Sequence, residues 1–150
     1  MNARGERVVA TKVEIAESRS ARRRGLLGRT GLADGAALVL TPCFAVHTIG
    51  MRFPIDVVFV AADGLVRKIV RGLGPGRIAV AFGASAVVEL AANALLPTEA
   101  LSIGDRLYLA PASADSGEPD DGVSGWAWPA RARFGASRRM TAARPACSGS

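Results

Sequence analysis

Residues Ile55 to Arg71 constrain the fold of this chain more than any other stretch. Ile55 to Ala61 reads Ile-Asp-Val-Val-Phe-Val-Ala, rich in β-branched residues and carrying Phe59, so it favours an extended, packed strand. Asp63-Gly64 supplies the residues of a tight hairpin turn, and Leu65 to Arg71 reads as the returning strand. A lone hairpin is marginal in water, so other segments must cover it.

Short segments meet that need. Arg7 to Ala16 carries Val8, Val13 and Ile15, the last two alternating with Lys12, Glu14 and Ala16, which predicts a strand with one wet face. Ser18 or Ser20 can cap a short helix running to about Leu27, with Arg22, Arg23 and Arg24 outward and Leu26 and Leu27 inward. Gly25 and Gly28 weaken that helix and place its end near Gly28. Ala36 to Leu40 is a strand stopped by Pro42, and Ala86 to Leu90 and Arg106 to Ala110 read as further strands. Gly72 to Gly76 reads as a flexible loop and Leu101 to Asp105 as a turn. The pattern predicts a compact α+β domain of mostly antiparallel sheet, curled or barrel-like, with one short N-terminal helix. Strands do not alternate with long helices as in a doubly wound fold, and no internal repeat is visible.

The chain has 150 residues, 49% hydrophobic and 21% charged, enough for one globular domain with its own core. That domain is expected over residues 1–110. From Pro111 to Ser150, Ala, Gly, Ser, Pro, Asp and Arg dominate, and acidic Asp115, Glu118, Asp120 and Asp121 precede a basic portion. Such a segment buries too little apolar surface to offset its ordering entropy, so it reads as a disordered tail. Trp126 and Trp128 lie within it and either dock on the domain or a partner or stand exposed.

The net charge is +6, and positive residues cluster in two places: Arg22, Arg23, Arg24 and Arg29 near the start and Arg131, Arg133, Arg138, Arg139 and Arg144 near the end. The first cluster has no interleaved aromatic ring and the second only Phe134, so solvated basic faces are favoured over specific nucleic-acid binding. Cys43 and Cys147 are far apart, with Cys147 in the tail; a structural disulfide is not expected, and a reducing compartment fits. The first ten residues hold no apolar signal core, and the apolar stretch Ile78 to Leu96 is broken by Gly83, Glu89 and Asn93. The expectation is a soluble, cytoplasmic protein without a membrane span.

Polar chemistry concentrates between Thr41 and Gly64. Cys43, His47 and Met51 are spaced as in a soft-metal loop, but His47 is the only histidine, which leaves a blue-copper or zinc ligand set incomplete. A Cys43–His47 nucleophile pair would need a turn, because residues four apart on an extended chain stand about 13 Å apart. Asp56 and Glu89 each sit in an apolar strand, where a carboxylate is costly without a partner. Arg24, Arg29 and Arg52 are natural partners. They either close internal salt bridges or offer donors, with His47, to an anionic or polar ligand.

Arg24-Gly25-Leu26-Leu27-Gly28-Arg29, Pro42-Cys43 with His47-Thr48, Met51-Arg52-Phe53-Pro54-Ile55-Asp56-Val57-Val58-Phe59, Asp63-Gly64, Val88-Glu89-Leu90 and Ile103-Gly104-Asp105 occur in that order. Together they resemble the domain-of-unknown-function family 192 of small bacterial and archaeal proteins, over about Val8 to Leu109. The resemblance implies a compact, mostly β fold with a small helical part, and no established reaction, substrate or cofactor. Many members carry a Trp just ahead of the Met, often followed by Lys-Asn; this chain has His47-Thr48-Ile49-Gly50-Met51-Arg52, which makes His47 the residue to watch. Ala91-Ala92-Asn93 replaces a Gly-containing turn, and Asn93 can adopt the left-handed conformation.

The leading functional expectation is a small non-enzymatic ligand-binding or accessory domain. Its pocket is expected to use Arg24, Arg29, His47, Met51, Arg52, Asp56 and Glu89 for a small polar or anionic ligand, or to meet a protein partner. No catalytic residue, metal or cofactor is assigned. The alternatives are a hydrolase or transferase using Cys43 and His47, and an interaction module using the tail.

Overall fold

A computed structural model describes residues 7–95, 101–111 and 138–143. Its elements are β1 (Arg7–Ala10), β2 (Lys12–Ala16), α1 (Arg19–Arg24), β3 (Ala36–Leu40), β4 (Ala45–His47), β5 (Ile55–Val60), β6 (Val66–Leu73), β7 (Ile78–Val80), β8 (Ala86–Ala91), β9 (Arg106–Pro111) and β10 (Arg138–Ala143). A five-stranded sheet runs β2-β3-β8-β5-β6, a three-stranded sheet runs β1-β10-β9, and β4 and β7 form a separate ribbon. The sheets do not close into a barrel, because the outer strands β2 and β6 of the large sheet are not paired with each other. The barrel-like expectation is corrected to this extent. The pairing is mostly antiparallel, as expected; the exception is β2 and β3, which are neighbours and run parallel, joined by the connection that contains α1.

The expected hairpin forms between β5 and β6, with Val58 opposite Ile69 and Phe59 opposite Lys68. Every residue of β5 and β8 is buried. Both faces of these central strands are covered, which is why their sequences read as apolar runs rather than alternating ones. Val58, Val60, Val88 and Leu90 pack on one face with Leu107, Met140 and Ala142 of the three-stranded sheet. Ile55, Val57, Phe59 and Val87 pack on the other with Leu26, Val46, Met51 and Ala79. A side chain's parity along its strand therefore decides which layer it meets.

Several local expectations are refined. The predicted strand over Arg7–Ala16 divides at Thr11, and its halves join different sheets. The helix spans only Arg19–Arg24: Ser18 caps it by accepting a hydrogen bond from Ala21 N at 3.0 Å, and Gly25, with φ 44° and ψ −124°, ends it. Asn93 takes the left-handed conformation at φ 72°. Strand β6 continues through Leu73, into the stretch expected to be a loop.

One strand falls where a disordered tail is expected. In β10, Met140 and Ala142 are fully buried, and the strand is hydrogen-bonded between β1 and β9. The tail expectation does not hold for residues 138–143, because this stretch gains a ladder on both sides and a core contact on one face. Pro111 ends β9, and the remainder of the expected tail, with Trp126 and Trp128, lies outside the described residues.

Candidate functional site

Glu89 lies on β8 with Val87, on the face directed toward α1 and the β4–β7 ribbon. It is 3% exposed, and its Oε2 has no hydrogen-bond partner. Burial pushes its carboxyl from 4.5 up to about 7, and the Arg29 charge partly offsets the rise. A buried, unsatisfied carboxyl oxygen is costly, and such groups call for a specific explanation.

Glu89 lines a cavity of about 340 Å³. The α1 side supplies Arg19, Arg22, Arg23 and Arg24, followed by Gly25, Leu26 and Leu27; the sheet supplies Leu40; and the opposite wall holds Cys43, Ala45, Val46, His47 and Met51. The capped start of α1 and the sharp stop at Gly25 make one turn of consecutive arginines border a cavity. Arg22 Nη1 donates to Glu17 O and, at 3.2 Å, to Thr41 O, which ties α1 to the chain before Cys43. Arg19, Arg23 and Arg24 are exposed. Positive charge thus collects at the mouth and a buried carboxyl lies within.

Cys43 is half-buried, and its Sγ donates to Ala45 O at 3.0 Å. Burial pushes the thiol above 9.0; a hydrogen bond with the Ala45 backbone offsets part of this, and the Glu89 charge adds to the rise. That environment disfavours a thiolate. Among the described residues no three His, Cys, Asp or Glu side chains gather to hold a metal.

Four residues singled out from the sequence come together here: Arg24, His47, Met51 and Glu89 all line the cavity. Three do not line it. Asp56 is buried on the opposite face of the sheet, where Oδ1 accepts from Gly72 N at 2.8 Å and Oδ2 from Leu95 N at 3.1 Å. Arg29 pairs with Glu14 at 3.0 Å on the surface and reaches Glu89 only through its field. Arg52 is exposed.

Sequence reading missed Arg19, Arg22 and Arg23 as cavity residues, since a run of arginines on a short helix reads as a solvated face. It also missed Thr48, which is fully buried. Thr48 Oγ1 donates to Gly74 O at 2.6 Å and accepts from Arg77 N at 2.9 Å, fixing the end of β4 against the 74–77 turn. The signal was present in the His47-Thr48 pair, but a lone threonine does not say which loop it will meet.

A family model described as "Uncharacterized ACR" matches residues 1–109. No curated protein matches the chain. Among solved structures, a protein of unknown function from Novosphingobium aromaticivorans superposes with a TM-score of 0.58 at 23% identity, covering 67% of this chain and 81% of its own. A Sinorhizobium meliloti protein named as a "putative transcription regulator" superposes with a TM-score of 0.59 at 24% identity, covering 67% of this chain and 88% of its own. At such identities the likeness is one of fold.

Proposed function

This chain belongs to DUF192, the domain-of-unknown-function family 192, and we propose that it is a small ligand-binding domain whose site is the cavity between α1, β4 and β8. The observation that carries this reading is the unpartnered Oε2 of Glu89 inside a cavity bordered by arginines. A carboxyl near neutrality can accept a hydrogen bond when ionised and donate one when protonated. A polar ligand would satisfy it and recover its desolvation cost. Arg23 and Arg24 at the mouth would meet an anionic end through charge-assisted hydrogen bonds. Met51, Leu26 and Leu40 supply the apolar wall expected of a small-molecule site. Of the residues singled out from the sequence, Arg24, His47, Met51 and Glu89 carry the proposal.

The raised thiol pKa of Cys43 and its bond to Ala45 O give no support to a thiolate nucleophile, so binding is favoured over catalysis. The test is a thermal-shift screen with inorganic phosphate, citrate, sugar phosphates and amino acids. A bound probe at 100 times its Kd should stabilise the domain by about 2.7 kcal/mol. The shift should shrink in Glu89→Gln and in Arg24→Ala. If no probe moves the melting temperature, or if both variants respond like wild type, the reading fails.

A further inference from the structure

Six large apolar side chains are exposed among the described residues, and four of them belong to the β4–β7 ribbon and its flanks: Phe44, Ile49, Ile78 and Phe82. Phe82 is 89% exposed and Ile78 67%. Within the ribbon, Val46 and its partner Ala79 turn into the core, so Ile78, next to Ala79 and paired with His47, lies on the outer side. The rings of Phe44 and Phe82 stack with centroids 6.2 Å apart.

This ridge is held in place. Thr48 N donates to Arg77 O at 2.8 Å, and Gly76 N donates to Thr48 O at 3.0 Å. At the other end, Ala81 N donates to Phe44 O at 2.9 Å. The apolar side chains are therefore presented by a fixed backbone, at the hydration cost that exposed apolar surface carries.

Along the chain, the charge flanking them has one sign. Neither 41–55 nor 65–88 contains an Asp or Glu, while these stretches hold Arg52, Lys68 and Arg77; Arg71 is directed elsewhere, donating to Leu95 O at 3.2 Å on the Asp56 side of the sheet. Lys68 Nζ donates to Val80 O at 3.0 Å, which fastens a cation to the ribbon itself. Arg77 is exposed beside Ile78, and Arg52 is exposed near Ile49 in the chain. A ridge of Phe and Ile flanked by cations and free of carboxylates matches an anionic bilayer surface: apolar side chains enter the headgroup boundary and cations meet lipid phosphates. Single-stranded nucleic acid fits less well, because Ile49 and Ile78 offer bases no ring and the two Phe rings already face each other.

We propose that the β4–β7 ribbon is a peripheral docking site for an anionic lipid surface. No helix among the described residues is long and apolar enough to cross a membrane. The proposal is independent of what the cavity binds.

Flotation of the full chain with vesicles tests it, using phosphatidylcholine alone or with about 30 mol % phosphatidylglycerol. The protein should float with the anionic vesicles, bind neutral ones about tenfold more weakly, and lose most binding as salt is raised. Phe82→Ser with Ile78→Ser should weaken binding about tenfold, and Lys68→Ala with Arg77→Ala about as much. Phe82→Ser alone, at the most exposed position, gives the same direction in a variant whose fold is least disturbed. Equal binding to neutral and anionic vesicles overturns the proposal, as does unchanged binding in all three variants. Failure to float, together with a concentration-dependent dimer that Phe82→Ser abolishes, overturns it in favour of a contact between copies of the chain.

Discussion

A Cβ added to Gly25 would stand 4.0 Å from Glu89 Oε2, so the glycine that ends α1 also walls the buried carboxyl. The same Cβ would stand 3.6 Å from Arg22 O, an ordinary contact. The obstacle to a side chain there is the backbone, at φ 44° and ψ −124°. Gly25→Ala should therefore cost about 1–3 kcal/mol of stability. Urea denaturation measures this, and an unchanged midpoint would show that the strain is relieved elsewhere.

Glu89 makes stability depend on pH in an unusual direction for a carboxylate. Its folded pKa, about 7, lies above the ordinary 4.5. Between those values the folded state holds a proton that the unfolded chain has released, so the stability that Glu89 contributes is fully present below 4.5 and is lost as pH rises toward 7. The full difference is on the order of 3 kcal/mol. Glu89→Gln removes the titrating group, so its melting temperature should fall less across this window and exceed that of wild type at pH 8. Parallel wild-type and variant profiles between pH 4.5 and 7 would contradict the assignment.

Arg29 affects Glu89 without touching the cavity. Its pair with Glu14 is solvent-screened, so losing it in Arg29→Met should cost less than about 1 kcal/mol. The same change removes the positive field that favours ionised Glu89 and should move its titration higher. An NMR titration of the Glu89 side-chain carboxyl separates the two effects. A downward shift, or none, would exclude this coupling.

Asp56 is expected to matter for folding rather than for binding. Its two oxygens accept from Gly72 N and Leu95 N inside the protein. Asp56→Ala leaves both amides without that acceptor and should cost about 3 kcal/mol or more, with Asp56→Asn losing less. Chemical denaturation would refute this if Asp56→Ala stayed within about 1 kcal/mol of wild type.

Cys43 should react slowly. With its thiol pushed above 9.0, iodoacetamide labelling of a Cys147→Ser protein at pH 7 should lag behind the same protein in denaturant. Faster labelling in the folded state would revive a reactive-thiol role.

The central strands, the hairpin turn, the capped helix and the left-handed Asn93 were legible because each depends on residues adjacent in the chain: β-branched runs, Asp-Gly, a serine before a helix, and an asparagine that tolerates positive φ. Strands β4 and β7 were not, since three residues are too few to show a period. Strand β10 was not, because Arg138 to Ala143 is neither strongly apolar nor β-branched and becomes a strand by lying between two others.

Asp56 and Glu89 show where local information ends. From sequence they pose one problem, a carboxylate inside an apolar strand. Strand parity turns them to opposite faces of the sheet, since Asp56 lies opposite Leu90 and Val57 opposite Glu89. On one face, distant chain segments bring two amides to Asp56; on the other, α1 and β4 leave a cavity over Glu89. The sequence determined that two carboxyl groups lie within apolar strands. Only the tertiary structure decided which would be satisfied, because a buried group's partners come from whichever remote backbone the layer brings to it.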